Sequence, residues 1–212
     1  MNSNKTALVL GATGLVGKAL VRQLLLDPRY DSITLLVRRP VPASLFSDPL
    51  GKLTPLVIDF EQLQDYQGYF SVNHVYCCLG TTLKQAGSKA AFRKVDFEYI
   101  HVAAQLTRAQ RADSFVWISS VGADAKSSNF YLRVKGELED ALMRMPQLPN
   151  ASAVRPSLLL GERNESRPLE AFGQMIAPAL GVFMAGPLKK YRPVSATEVA
   201  HKMITLQEFD SQ

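Results

Sequence analysis

The chain lacks the features that mark several whole classes of protein. It has only two cysteines, Cys77 and Cys78, and they are adjacent. Neighbours on a strand point to opposite faces, so these two are expected to pack in a core rather than form a disulfide. The histidines His74, His101 and His201 are scattered. With no second Cys/His cluster, a metal site is not expected. No apolar run approaches the roughly 18 residues of a membrane span. The opening residues, MNSNKT, carry neither the apolar region nor the cleavage site of a secretory signal. A cytoplasmic location is the expectation. Internal repeats, low-complexity tracts and linkers are absent too.

Charge is in modest excess, +5 over 212 residues. The densest basic pairs, Arg38-Arg39 and Lys189-Lys190, lie far apart. Nucleic-acid binding calls for a basic stripe with interleaved aromatics, so no nucleic-acid partner is expected. A cleft for an anionic cofactor accounts for part of the charge. With 47% hydrophobic and 20% charged residues, the composition is that of an ordinary globular protein. The length suits one domain with a real core, spanning 1–212.

What the chain does have begins at Ala7–Gly17, ALVLGATGLVG. An apolar run, Ala7 to Leu10, meets Gly11, Gly14 and Gly17, and an amphipathic segment, Lys18 to Leu26, follows at once. A strand feeding a tight glycine turn that opens a helix begins a dinucleotide-binding βαβ unit. Gly11 takes the backbone conformation of the turn, Gly14 lets the main chain approach a pyrophosphate, and Gly17 lets the helix pack close to the strand. The helix start offers free N–H groups and a positive dipole end. Gly11, Thr13, Gly14, Leu15, Val16 and Gly17 are therefore the candidate pyrophosphate site.

Further strands are expected at Ser32–Val37, Leu53–Phe60, Val72–Leu79, Ser114–Ser119 and Ala151–Arg155. Between them, helices are expected at Lys89–Arg111 and Phe130–Met145, with a short turn or helix at Glu61–Gln67. Beyond lie a helix at Pro168–Leu180 and a last one ending near Phe209, capped by Ser195 or Thr197. Near-continuous Val/Ile/Leu strands alternating with helices predict one doubly wound α/β domain with a mostly parallel sheet. Its ligand crevice lies beyond the strand C-termini. Gly11–Gly17, Arg38-Arg39, Asp59-Phe60, Leu79-Gly80-Thr81 and Ser119-Ser120 all fall at such ends.

The second strand ends in Val37-Arg38-Arg39, with no carboxylate for a ribose 2′-hydroxyl. An arginine fork suits a 2′-phosphate, so NADP(H) is expected in preference to NAD(H). Asp59 and Phe60 fall where an adenine amine and ring edge would lie; Asp59 suits a helix cap equally well. The chemistry-bearing pattern is Ser119-Ser120 at a strand end, followed by Tyr131 and Lys135 in YLRVK. Four residues apart on a helix, these two share a face. A nearby ammonium favours a phenolate and fits tyrosine for acid–base work. The bland alternative is a tyrosine packed on its helix with the lysine in solvent.

These motifs resemble the short-chain dehydrogenases/reductases. GATGLVG is similar to the glycine motif of the extended and atypical branches. CCLGTT, AFRKVD, ISSVGAD, SSNFYLRVKGELE and RPSLLLGER resemble the Tat-interacting-protein-like group of atypical members. The resemblance implies a Rossmann fold and NADPH binding. It also implies Tyr131 as proton donor/acceptor, Lys135 on the nicotinamide ribose, and Ser120 in preference to Ser119 as the site serine. Leu79, Gly80, Thr81, Arg155, Pro156 and Ser157 would flank the cofactor. The family's Asn-Asn-Ala-Gly is replaced here by Cys77-Cys78-Leu79-Gly80. The short C-terminal region, about 165–193, carries Met175, Phe183, Met184 and Pro187, which suit an apolar substrate and equally an ordinary core. The expected activity is hydride exchange with a small, apolar carbonyl/alcohol substrate. The alternative is an NADPH-binding regulatory protein whose output is a contact with a protein partner.

Overall fold

Six parallel strands form the centre of the computed structural model, in the order β3-β2-β1-β4-β5-β6. The structure describes residues 4–148, 150–157, 159–160 and 193–207. The strands are β1 (Lys5–Leu10), β2 (Tyr30–Val37), β3 (Leu53–Val57), β4 (His74–Cys77), β5 (Ser114–Ile118) and β6 (Ala151–Val154). The strand order reverses between β1 and β4, which opens a crevice above their C-terminal ends.

Alternation along each strand sorts side chains onto two covered faces. Ala7, Val9, Ile33, Leu35, Tyr76 and Val116 pack under α1 (Leu15–Leu26) and the last helix, Ala196–Thr205. Leu8, Leu10, Leu36, Val75, Cys77, Phe115 and Trp117 pack under the helices on the opposite side. Cys77 and Cys78 thus serve different faces and are free thiols, as expected. β3 is an edge strand, and its residues are partly or fully exposed. Pro55 sits in it because an edge position leaves one side of the backbone unpaired.

Helix α1 buries Val16, Leu20, Val21, Leu24 and Leu25 at helical spacing. It stops at Asp27, whose backbone is extended ahead of Pro28. At the floor of the sheet, the Tyr30 hydroxyl meets His74 Nδ1 at 2.6 Å and the Tyr76 hydroxyl at 2.7 Å. All three groups are fully buried. Burial holds both phenols well above their ordinary range.

Several boundaries differ from expectation. β3 ends at Val57 and β4 starts at His74, both shorter than their apolar runs. Phe60–Phe70 is a run of 3-10 turns capped by Asp59 and kinked where Gln62 and Tyr66 leave helical geometry. Leu83–Ala86 forms a short helix, α2, ended by Gly87 in the left-handed region. The long helix is interrupted: α3 (Lys89–Arg93) passes through a π-helical turn, Lys94–Glu98, into α4 (Tyr99–Ala109). The turn inserts a residue and rotates the buried stripe. Phe92, Asp96, Ile100, Ala103 and Ala104 face inward, while Val95, Tyr99 and Val102 are only partly covered. Helix α5 is Phe130–Met143. Beyond β6, β7 (Leu159–Leu160) pairs in parallel with β8 (Val194–Ser195). Helix α6 (Ala196–Thr205) follows, with Ser195 and Glu198 forming a capping box. The expected helix at Pro168–Leu180, and the expected substrate region at about 165–193 up to its last residue, lie outside the described residues.

Candidate functional site

The glycine turn is built for close approach of backbone to ligand. Gly11 stands at φ 79°, immediately after β1. A Cβ on it would lie 2.6 Å from both the carbonyl carbon and the oxygen of Cys78, so β1 and the end of β4 touch there through main chain alone. A Cβ on Gly17 would lie 2.2 Å from the Gly11 oxygen. The Gly14 N–H donates to that same oxygen at 3.1 Å and closes the turn. Gly14 caps α1 with no side chain, and no acidic residue sits in the first turn. The amides of Leu15, Val16 and Gly17 precede the first intrahelical bond, Lys18 N–H to Gly14 O. This cradle of small, unhindered amides at a positive helix end fits a dinucleotide pyrophosphate. Thr13 is exposed on its rim.

Arg38 and Arg39 follow β2 directly and both are exposed at the crevice edge. Asp59 accepts from the Glu61 N–H at 2.9 Å, so of its two expected uses the structure displays the cap. Phe60 is buried in the core against Tyr99, with ring centroids 5.7 Å apart, and does not present a free ring surface. Nearby, Glu61 takes the Tyr99 hydroxyl at 2.7 Å and Lys94 Nζ at 2.6 Å.

The far half of the crevice holds the Tyr-Lys pair. Asn129 caps α5 by accepting from the Leu132 N–H. Tyr131 lies in the first turn, partly exposed, with its ring 5.7 Å from Phe92. Lys135, one turn on, is only 3% exposed. Its Nζ lies 2.7 Å from Asp96 Oδ1 and donates to the Ile118 carbonyl at 3.4 Å. The other Asp96 oxygen accepts the Thr81 N–H at 2.7 Å. Asp96 is itself 1% exposed. The ammonium and carboxylate therefore neutralise each other in a place that would penalise either alone.

Ser119 and Ser120 are both 2% exposed at the end of β5. The Ser120 hydroxyl bonds the Val121 carbonyl at 3.3 Å, whereas the Ser119 hydroxyl is buried with no hydrogen-bond partner among the described residues. Leu79 packs on the core, Gly80 is exposed, and Thr81 is held by Asp96. Pro156 accepts the Val121 N–H at 3.0 Å, and Ser157 is buried beside it. Arg155 is turned to Glu139 on α5, which takes its Nε at 2.9 Å. That guanidinium ties β6 to α5 rather than pointing into the crevice.

Three contributors were not among the expected residues: Asp96, Glu139 and Gly136. A Cβ on Gly136 would lie 2.2 Å from the Ala125 amide nitrogen. This glycine thus lets α5 press onto the 124–125 segment and sets the height of Tyr131 and Lys135. Asp96 had a sequence signal, a carboxylate four residues after Phe92 and four before Ile100 on an apolar stripe. Glu139 and Gly136 fall within the SSNFYLRVKGELE stretch, which on its own gave neither of them a role.

The NAD(P)H-binding family matches residues 11–160. The chain is 38% identical over 168 residues to HTATIP2 of Rattus norvegicus, covering 79% of this chain and 68% of that protein. It is 34% identical to the mitochondrial FMP52-1 of Scheffersomyces stipitis, covering 77% and 71%. A short-chain dehydrogenase/reductase family oxidoreductase from Burkholderia thailandensis superposes with a TM-score of 0.65 at 23% identity, over 97% of this chain and 86% of that one. The Bordetella bronchiseptica enzyme WbmH, solved with NAD+, gives 0.69 at 15% identity, over 95% and 71%. At these identities the structural likeness speaks to the fold alone. The expectation of a cytoplasmic location is corrected, because relatives 33–34% identical are named mitochondrial. Among the described residues, no helix is long and apolar enough to cross a membrane. With the glycine cradle, the strand order and these relatives in agreement, the chain belongs to the NAD(P)H-binding family, as a Tat-interacting-protein-like relative of HTATIP2.

Proposed function

We propose that this protein is an NADP(H)-dependent oxidoreductase for a small, apolar carbonyl or alcohol substrate. The observation that carries this reading is the burial of Lys135. A lysine in a chance Tyr-x-x-x-Lys pair extends into water; this one is 3% exposed and held 2.7 Å from a buried carboxylate beside the crevice. Burying a charged pair is costly, so it points to a use for the ammonium at that place.

The nicotinamide, when bound, supplies or accepts the hydride. Tyr131 passes a proton to the carbonyl oxygen in reduction and takes it back in oxidation. Lys135, on the same face of α5, would hold the nicotinamide ribose, its ammonium kept in place by Asp96. Ser120 hydrogen-bonds the substrate oxygen and orients it. The turn from Gly11 to Gly17 receives the pyrophosphate on main-chain amides. Arg38 and Arg39 receive the 2′-phosphate.

The test pairs NADPH binding with turnover. NADPH is expected to raise the melting temperature of the wild type and to be oxidised with members of a carbonyl panel. Tyr131→Phe is expected to abolish that oxidation and leave NADPH affinity unchanged. Full activity in this variant would reject the role of Tyr131. A thermal shift with no oxidation across the panel would favour the regulatory reading instead.

A further inference from the structure

The segments beside Tyr131 carry cations with few acids to match them. Between Thr82 and Val95 every charged side chain is basic: Lys84, Lys89, Arg93 and Lys94. Arg93 is paired with Glu137 and Lys94 with Glu61. Lys89, exposed at the start of α3, has no carboxylate partner among the described residues, and neither has Arg133 on α5. Asp124 is the one acid between Val121 and Lys135, and it accepts the Lys126 N–H at 2.8 Å. The two unmatched cations meet at one ring. Lys89 Nζ lies 5.4 Å and Arg133 Cζ 5.7 Å from the centroid of Phe130. Phe130 opens α5 directly before Tyr131, and the buried Phe92 ring stands 5.7 Å from both of theirs. One aromatic cluster thus ties the phenol to the two cations. Arg133 is held further by the Ser127 and Ser128 carbonyls, which accept from its Nη1 at 2.9 and 3.3 Å. A ring attracts a cation without neutralising it, so both side chains keep donors and charge for an anion.

We propose that Lys89 and Arg133 bind an anionic group carried by the substrate at the end away from its carbonyl. The inference rests on the oxidoreductase reading above and adds a charged end to its apolar substrate. The cofactor does not use up this charge: its pyrophosphate belongs at the start of α1 and its 2′-phosphate beside Arg38 and Arg39, in the other half of the crevice. Phe130 is half-buried and offers apolar surface to the part of the substrate between carbonyl and anion. The Arg133 fork suits a carboxylate or a phosphate, and the Lys89 ammonium adds a second, more mobile donor.

The probes are straight-chain ω-oxo carboxylic acids of graded length and their methyl esters, at saturating NADPH. The acid of matching length is expected to exceed its ester in kcat/KM by about fivefold or more, through KM. That preference should shrink as salt rises. Lys89→Gln combined with Arg133→Gln is expected to bring acid and ester within about twofold of each other. An equal loss for both compounds would assign the pair to the fold and overturn the proposal. If the double variant does not fold, Lys89→Glu is read instead, on an exposed side chain. It is expected to place the acid below its ester, and an undiminished preference for the acid overturns the proposal. Isothermal titration of acid and ester into NADPH-loaded Tyr131→Phe reads the same preference without turnover. A wild type that treats acid and ester alike in both assays overturns the anion site and leaves the oxidoreductase reading standing. Bound NADPH that no acid, ester or neutral aldehyde oxidises refutes that reading, and the titration then decides the anion site by itself.

Discussion

Replacing Gly17 by alanine tests the cradle with a single methyl group. The added Cβ would stand 2.2 Å from the Gly11 oxygen, 2.8 Å from the Ala12 Cα and 2.9 Å from the Gly11 carbonyl carbon. All three atoms are main chain, so no flexible side chain can swing aside. The closest approach is roughly 1 Å short of an ordinary contact. Helix α1 must back away from the turn, and overpacking of this kind costs about 1–3 kcal/mol. For a chain of this size each kcal/mol moves the melting temperature by about 2–4 °C, so a fall of about 2–12 °C is expected. The displaced helix amides should also lose at least one charge-assisted bond to the pyrophosphate, a roughly ten- to hundredfold loss of NADPH affinity. Gly68→Ala is the control. Nothing lies within 4 Å of its Cβ position, and a change within about 0.5 kcal/mol is expected. Thermal melts and isothermal titration with NADPH on the three proteins give the answer. Wild-type stability and affinity in Gly17→Ala would refute the close-packed cradle.

Two further outcomes concern specificity and pH. Arg38→Ala should weaken NADPH binding roughly ten- to hundredfold and leave NADH binding unchanged; an unchanged NADPH/NADH ratio removes Arg38 from the 2′-phosphate. Burial pushes the Cys77 thiol from its ordinary range up to about 12. With the folded value above the unfolded one, its contribution to stability is complete below about pH 8.5. That contribution is lost as pH rises toward the folded value, by up to about 1.4 kcal/mol per pH unit. Urea midpoints for the wild type should fall above that point, and Cys77→Ala should fall less steeply. Equal slopes would show that the thiol is not protected in the folded state.

The parts of the site that were legible in the sequence are those whose chemistry is local. Gly11, Gly14 and Gly17 announce a turn because backbone freedom and helix approach are settled within seven residues. Ser195 announces a cap because its partner Glu198 is three residues away. Tyr131 and Lys135 announce a shared face because helical spacing puts them there. Arg155 and Phe60 were placed by position in the chain, and the structure gives both an architectural contact instead, with Glu139 and Tyr99. Asp59 kept two uses in sequence because capping and ligand contact ask for the same carboxylate, and the structure displays the capping one.

Composition, glycine spacing and alternating apolar runs were enough to determine a doubly wound sheet and the end of it where a dinucleotide belongs, since each rests on short-range steric rules. Tertiary structure alone decided that Lys135 is buried, that Asp96 holds it, and that Thr81 shares the same carboxylate. These residues stand on three separate segments, brought together by a π-turn that rotates one helix and a glycine that lets another press close. Charge burial depends on what surrounds a group in space, and no spacing along the chain encodes that.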